Sequence, residues 1–169
     1  MEMLHKLLMD RYDEIRLEGS SENKEAKVID AYDLVKELAN VARREGLLAL
    51  EECAENLDIS DESMELFSTL LMLLVDGTDP KIVAEIGINK MIANNLTAYD
   101  GLISLMFFRG SLMIQAGENP YLIDNYLKSM LPDSCRKIIE KREHEKKSAM
   151  ETAQPEDAIR RLCEDDKET

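Results

Sequence analysis

At 169 residues the chain is long enough to bury the core of one ordinary domain, and no second folded domain is required. A formal net charge of −14 argues against sequence-independent binding to nucleic acid or to an anionic membrane surface, both of which reward lysine and arginine. Aromatic residues are only 5% and Trp is absent, so Leu, Ile, Val, Ala and ten Met must supply the core. The scarcity of Gly and Pro and the lack of alternating β-branched runs then predict an all-α, single-domain helical bundle of about six to eight helices.

Leu4, Leu7, Leu8, Tyr12 and Ile15 recur at helical spacing until Gly19 and the polar residues after it interrupt them, which predicts a first amphipathic helix and a link. Ser21 or its neighbour is a candidate cap for the next helix. Val28, Tyr32, Val35, Leu38 and Val41 carry the same period into "ARREGLLALEECAENL", where Gly46 is either a kink or a boundary between two helices. Ser60 or Asp61 is the expected cap of a further helix through "MELFSTLLMLLV", with acidic residues in its first turn where the helix dipole favours them. That segment is apolar on most sides and is expected to be the most buried helix.

"LLVDGTDPKIV" is written as a turn. Gly77 suits the left-handed position past a helix end, and Asp79 followed by Pro80 suits an N-cap and the first helical residue. Forty residues on, "SLMIQAGENPYLI" repeats the pattern with Gly117, Asn119 and Pro120, and Phe107 falls where Phe67 stands. Asn for Asp suits a cap and does not suit a catalytic or metal-binding carboxylate. The six residues are therefore expected to be structural, in a helix–turn–helix unit present twice.

After Pro132 the chain becomes charged on nearly every face, with Ile138, Ile139 and Met150 as its few apolar anchors. Residues 1–132 are read as the helical domain and 133–169 as a charged helical extension with a frayed tail.

No catalytic residue, cofactor or metal is expected. "DGTD" matches part of a phosphatase nucleophile motif, but Leu74 stands at the nucleophile position and the preceding run is helical in pattern. His5 and His144 lie at opposite ends in charged contexts and lack an obvious catalytic partner. Cys53, Cys135 and Cys163 are odd in number and widely spaced, suggesting neither a disulfide framework nor a zinc site, and fitting a reducing cytoplasm. Met106 and Met113 fit core packing. The start of the chain has no apolar signal core, and no uncharged stretch has the length of a membrane span, so no membrane insertion is expected. Glu51, Glu52, Glu55, Asp58, Asp61, Glu62 and Glu65 follow one another without an intervening Lys or Arg. They form either a solvated acidic face or a docking surface for a basic partner.

"VARREGLLALEE", followed by "VDGTDPKIVAEIGINKMI", resembles the cytoplasmic segment of the flagellar stator protein MotA, of the MotA/TolQ/ExbB proton-channel family, over residues 33–92. The resemblance implies a bacterial helical module that touches the flagellar rotor's switch protein, or another motor component, through charged side chains. The motif's Arg and Glu fall on Arg43 and Glu51. With their neighbours they make Arg43, Arg44, Glu51, Glu52 and Glu55 the expected partner-binding set. The family's membrane helices have no counterpart here, so proton conduction is not expected. The alternative is an acidic helical adaptor or export chaperone unrelated to the motor, and the oligomeric state is open.

Overall fold

A computed structural model describes residues 2–19 and 21–165, with side chains described within 5–19 and 21–149. The chain is an all-α helical bundle. Its helices are α1 (Glu2–Glu18), α2 (Glu22–Glu45), α3 (Leu50–Glu55), α4 (Glu62–Val75), α5 (Pro80–Asn94), α6 (Ala98–Gln115), α7 (Pro120–Ser129) and α8 (Asp133–Asp165), with a 3-10 turn at Leu47–Ala49. Two compact units, Met1–Pro132 and Asp133–Thr169, divide it. The side chains of Leu4, Met150 and Cys163 lie outside the described residues.

Local chemistry sets the element boundaries. The Asp61 carboxylate accepts the Met64 N–H at 3.0 Å and so caps α4. Ser21 occupies the N-cap position of α2 but makes no capping hydrogen bond with its side chain. After α4, Thr78 N–H donates to Leu73 O and Gly77 N–H to Leu74 O. After α6, Glu118 N–H donates to Met113 O and Gly117 N–H to Ile114 O. Both are the paired hydrogen bonds of a Schellman ending. Gly77 and Gly117 adopt φ of 67° and 68°, a left-handed conformation that costs a residue with a Cβ about 1–2 kcal/mol. Asp79 and Asn119 then cap α5 and α7 by accepting the Lys81 and Tyr121 N–H groups at 2.8 and 2.9 Å, with Pro80 and Pro120 opening each helix. The two turns are the same object built twice.

Packing repeats as well. α4 and α6 run parallel, because Ser63 meets Ser104 near their starts, Phe67 stacks on Phe107 midway, and Gln115 Nε2 donates to Thr78 O beyond their ends. α2 runs alongside α6 in the same direction, with Val35 against Gly110 and the Ala42–Gly46 end beside Ile114 and Gly117. α5 packs on α4 and α6, and α7 packs on α6 and α2. The arrangement α4–α5–α6 thus recurs one step along as α6–α7–α2, with α2 standing where a third repeat would begin.

The most buried helix is α6, which corrects the expectation placed on α4. Fourteen residues of α6 are buried against six of α4, because α6 has neighbours on all sides: α1, α2, α4, α5 and α7. Its small residues Gly101, Ser104, Gly110 and Ser111 let those helices close in and also lower its apparent hydrophobicity. Met106 and Met113 belong to this core.

α1 lies antiparallel to α6 and holds the loop before it. Arg11 donates to Leu96 O, Glu14 accepts the Ala98 N–H at 2.7 Å, and the two side chains pair at 3.1 Å. Glu14 thereby supplies the acceptor that Thr97, at the N-cap of α6, does not provide.

α8 is a charged helix carrying its own short-range ion pairs, Asp133–Arg136 at 3.1 Å and Lys141–Glu145 at 3.9 Å. These follow the i,i+3 and i,i+4 spacings that support an exposed helix.

Candidate functional site

The candidate site is the corner at which α2 ends and α3 begins. Gly46 adopts φ 88° and ψ 171°, a region essentially reserved for glycine. Its N–H still closes the last turn of α2 onto Ala42 O at 3.0 Å. The chain then passes through the 3-10 turn into α3, which Leu50 and Ala54 anchor in the core. Anchored on that side, α3 directs its acidic residues outward.

Arg43, Arg44, Glu51, Glu52 and Glu55 are all exposed. Arg44 pairs with its neighbour Glu45 at 3.6 Å with both side chains mostly in water, a contact that contributes little. Among the described residues Arg43 has no carboxylate partner, and Glu51, Glu52 and Glu55 have no cationic one. In the rest of the acidic run, Asp61 meets Lys27 at 3.6 Å and Glu65 meets Lys90 at 2.9 Å, while Asp58 and Glu62 have no cation among the described residues.

The structure also joins two sets that are separate in sequence. Arg43, Gly46 and Leu47 form one side of a groove of about 180 Å³, whose other side includes Gln115, Gly117 and Glu118 from the second proline-capped turn. The corner and that turn are adjacent surfaces. By contrast, the acidic groups of the first turn serve the backbone or solvent: Asp79 is committed to its cap, and Asp76 is exposed.

Two polar arrangements are not evident from sequence. Asp124 on α7 is buried and receives a hydrogen bond from Tyr32, with Lys36 Nζ 2.8 Å from one carboxylate oxygen and Lys128 Nζ 2.9 Å from the other. Burial pushes its pKa up, but hydrogen bonds from Lys36, Tyr32 and Lys128 outweigh that and hold it below the usual carboxylate value. The cluster clamps α7 to α2. The available signal was the placement of Asp124 beside Ile123 and one turn before Leu127, on the buried face of a short helix. The second arrangement is Gln115, which donates to Thr78 O while its own buried Oε1 has no partner among the described residues.

His5 and His144 are exposed, and Leu74, at the nucleophile position of the phosphatase motif, is buried within α4. Among the described residues no group of His, Cys, Asp and Glu is arranged to hold a metal ion, and no helix is long and apolar enough to cross a membrane. Comparison with protein-family models, curated proteins and solved structures yields no match to this chain.

Proposed function

We propose that this chain is a non-catalytic interaction module that docks a protein partner on the Gly46 corner, in the manner expected of a MotA-like stator segment without its ion channel. The partner is the flagellar rotor's switch protein or another motor component, met in the cytoplasm. The observation that carries this reading is that Arg43, Glu51, Glu52 and Glu55 flank one glycine corner, exposed and unpaired among the described residues. Charges with no internal partner keep their field for a second protein, where they set orientation and association rate more than affinity. Their placement on anchored helix ends also lowers the ordering cost of docking.

The test is binding of the full chain to purified rotor switch protein at several salt concentrations, with Arg43→Glu and Glu51→Lys variants. Expected is salt-sensitive binding that weakens about tenfold in each variant, or roughly 1.4 kcal/mol. Binding that is absent, or indifferent to both reversals, rules out the rotor version. Glu55, Asp58 and Glu62, without a cation among the described residues, favour a second reading as an acidic adaptor or export chaperone. Co-purification of an export substrate without any motor component would support it.

A further inference from the structure

The parallel course of α2, α4 and α6 puts three corners at one end of the helical unit: Gly46, the Gly117 turn beside it, and the Gly77 turn reached through Gln115. Four large apolar residues are exposed there, with Leu48 73%, Ile82 50%, Tyr121 75% and Leu122 47% accessible. Ile82 and Leu122 hold the same position after the two capped prolines, and the inward core contact is already supplied by their neighbours Val83 and Ile123. At either place about half of a branched aliphatic side chain is left in water. An apolar residue on each of three adjacent corners is what the centre of an interface requires.

Charge specifies the occupant. Around these side chains Glu51, Glu52, Asp76 and Glu118 are exposed carboxylates without a cation among the described residues, against two cations without an anion, Arg43 and Lys81.

We propose that this end of the bundle is a docking row for one amphipathic helix of a partner protein, with a single apolar face and Lys or Arg along its flanks. The proposal rests on the Gly46 corner being a partner surface. It extends that surface across both proline-capped turns and assigns the anchoring to Leu48, Ile82 and Leu122, with the charges as a steering rim.

The probe is a synthetic amphipathic helix of about 18 residues, about five turns, made of Leu at heptad spacing and Lys on the flanks. It is titrated calorimetrically into the full chain beside a peptide of equal charge with Gln for Leu. Expected is binding of the Leu peptide about tenfold or more tighter than the Gln peptide. The Ile82→Ser/Leu122→Ser double variant should lose about that factor while remaining folded, its thermal midpoint lowered by a few degrees because the half of each side chain that is buried is also lost, whereas Ile59→Ser/Ile92→Ser at the opposite end keeps full peptide affinity. Equal binding of the two peptides, or full affinity in the Ile82/Leu122 variant, overturns the docking row. So does dimerisation of the free chain that the same variant abolishes, since a second copy would then be the occupant. If the Arg43 and Glu51 reversals weaken switch-protein binding while the serine variants leave peptide affinity intact, the corner reading stands and the docking row falls. The converse pattern removes the rotor reading alone.

Discussion

Phe67 and Phe107, forty residues apart, stack with ring centroids 4.2 Å apart and planes 8° from parallel. They hold the same position in α4 and α6, so the join between the two helical hairpins is made by a residue with itself. Both rings are fully buried, which makes the pair the central weld of the repeated unit rather than a surface contact. Phe107→Ala should cost about 3–5 kcal/mol of unfolding free energy, read from urea denaturation. Phe107→Leu should cost less than half of that. Equal costs would mean that a lost contact elsewhere, and not ring volume, dominates.

The capped turns predict a graded series. Asp79→Ala and Asn119→Ala each remove a side-chain acceptor and should cost about 1 kcal/mol, whereas Asp79→Asn should stay within about 0.5 kcal/mol. The measurement is again the denaturation midpoint. If Asp79→Asn proved as costly as Asp79→Ala, the carboxylate would have a role beyond capping.

Gly110 departs from the repeat, because its counterpart in α4 is the buried Leu70. A Cβ at Gly110 would lie 2.4 Å from Val35 Cγ1, so the glycine is what lets α2 settle onto α6. Gly110→Ala should destabilise by about 1–3 kcal/mol through overpacking. Combined with Val35→Ala, it should cost less than the sum of the two single changes. Strict additivity would show that the two positions do not compete for space.

The Asp124 clamp gives a pH dependence with a defined sign. Its folded pKa lies below the ordinary value of 3.8, so its stabilisation is fully present above that value and is lost as pH falls through the folded pKa. Asp124→Asn should cost about 2 kcal/mol at neutral pH, below the range for a fully buried pair because Lys36 and Lys128 are partly exposed. It should also flatten the acid limb of the stability curve below pH ~4. An unchanged acid limb in the variant would remove Asp124 as the cause.

What the sequence determined by itself was local. Helix limits at Gly77 and Gly117, the caps at Asp79 and Asn119, and the repeat at an offset of forty residues were legible, whereas Gly46 read equally as a kink or a boundary and the cap of α4 as Ser60 or Asp61. Dihedral preference and capping act within a few residues of the groups that carry them. The charged residues flanking Gly46 were legible as a set, yet nothing in their spacing placed Arg43 beside Gly117 and Glu118.

Tertiary structure alone decided which helix faces meet. It made α6 the centre although α4 is the more apolar segment, because burial follows the number of neighbours and not the hydropathy of a window. It brought Tyr32 and Lys36 to Asp124 across 92 and 88 residues, turning an ordinary aspartate into a clamp. It also lined up three glycine corners at one end of the bundle. Such arrangements depend on the parallel packing of whole helices, a relation between distant faces that no local pattern encodes.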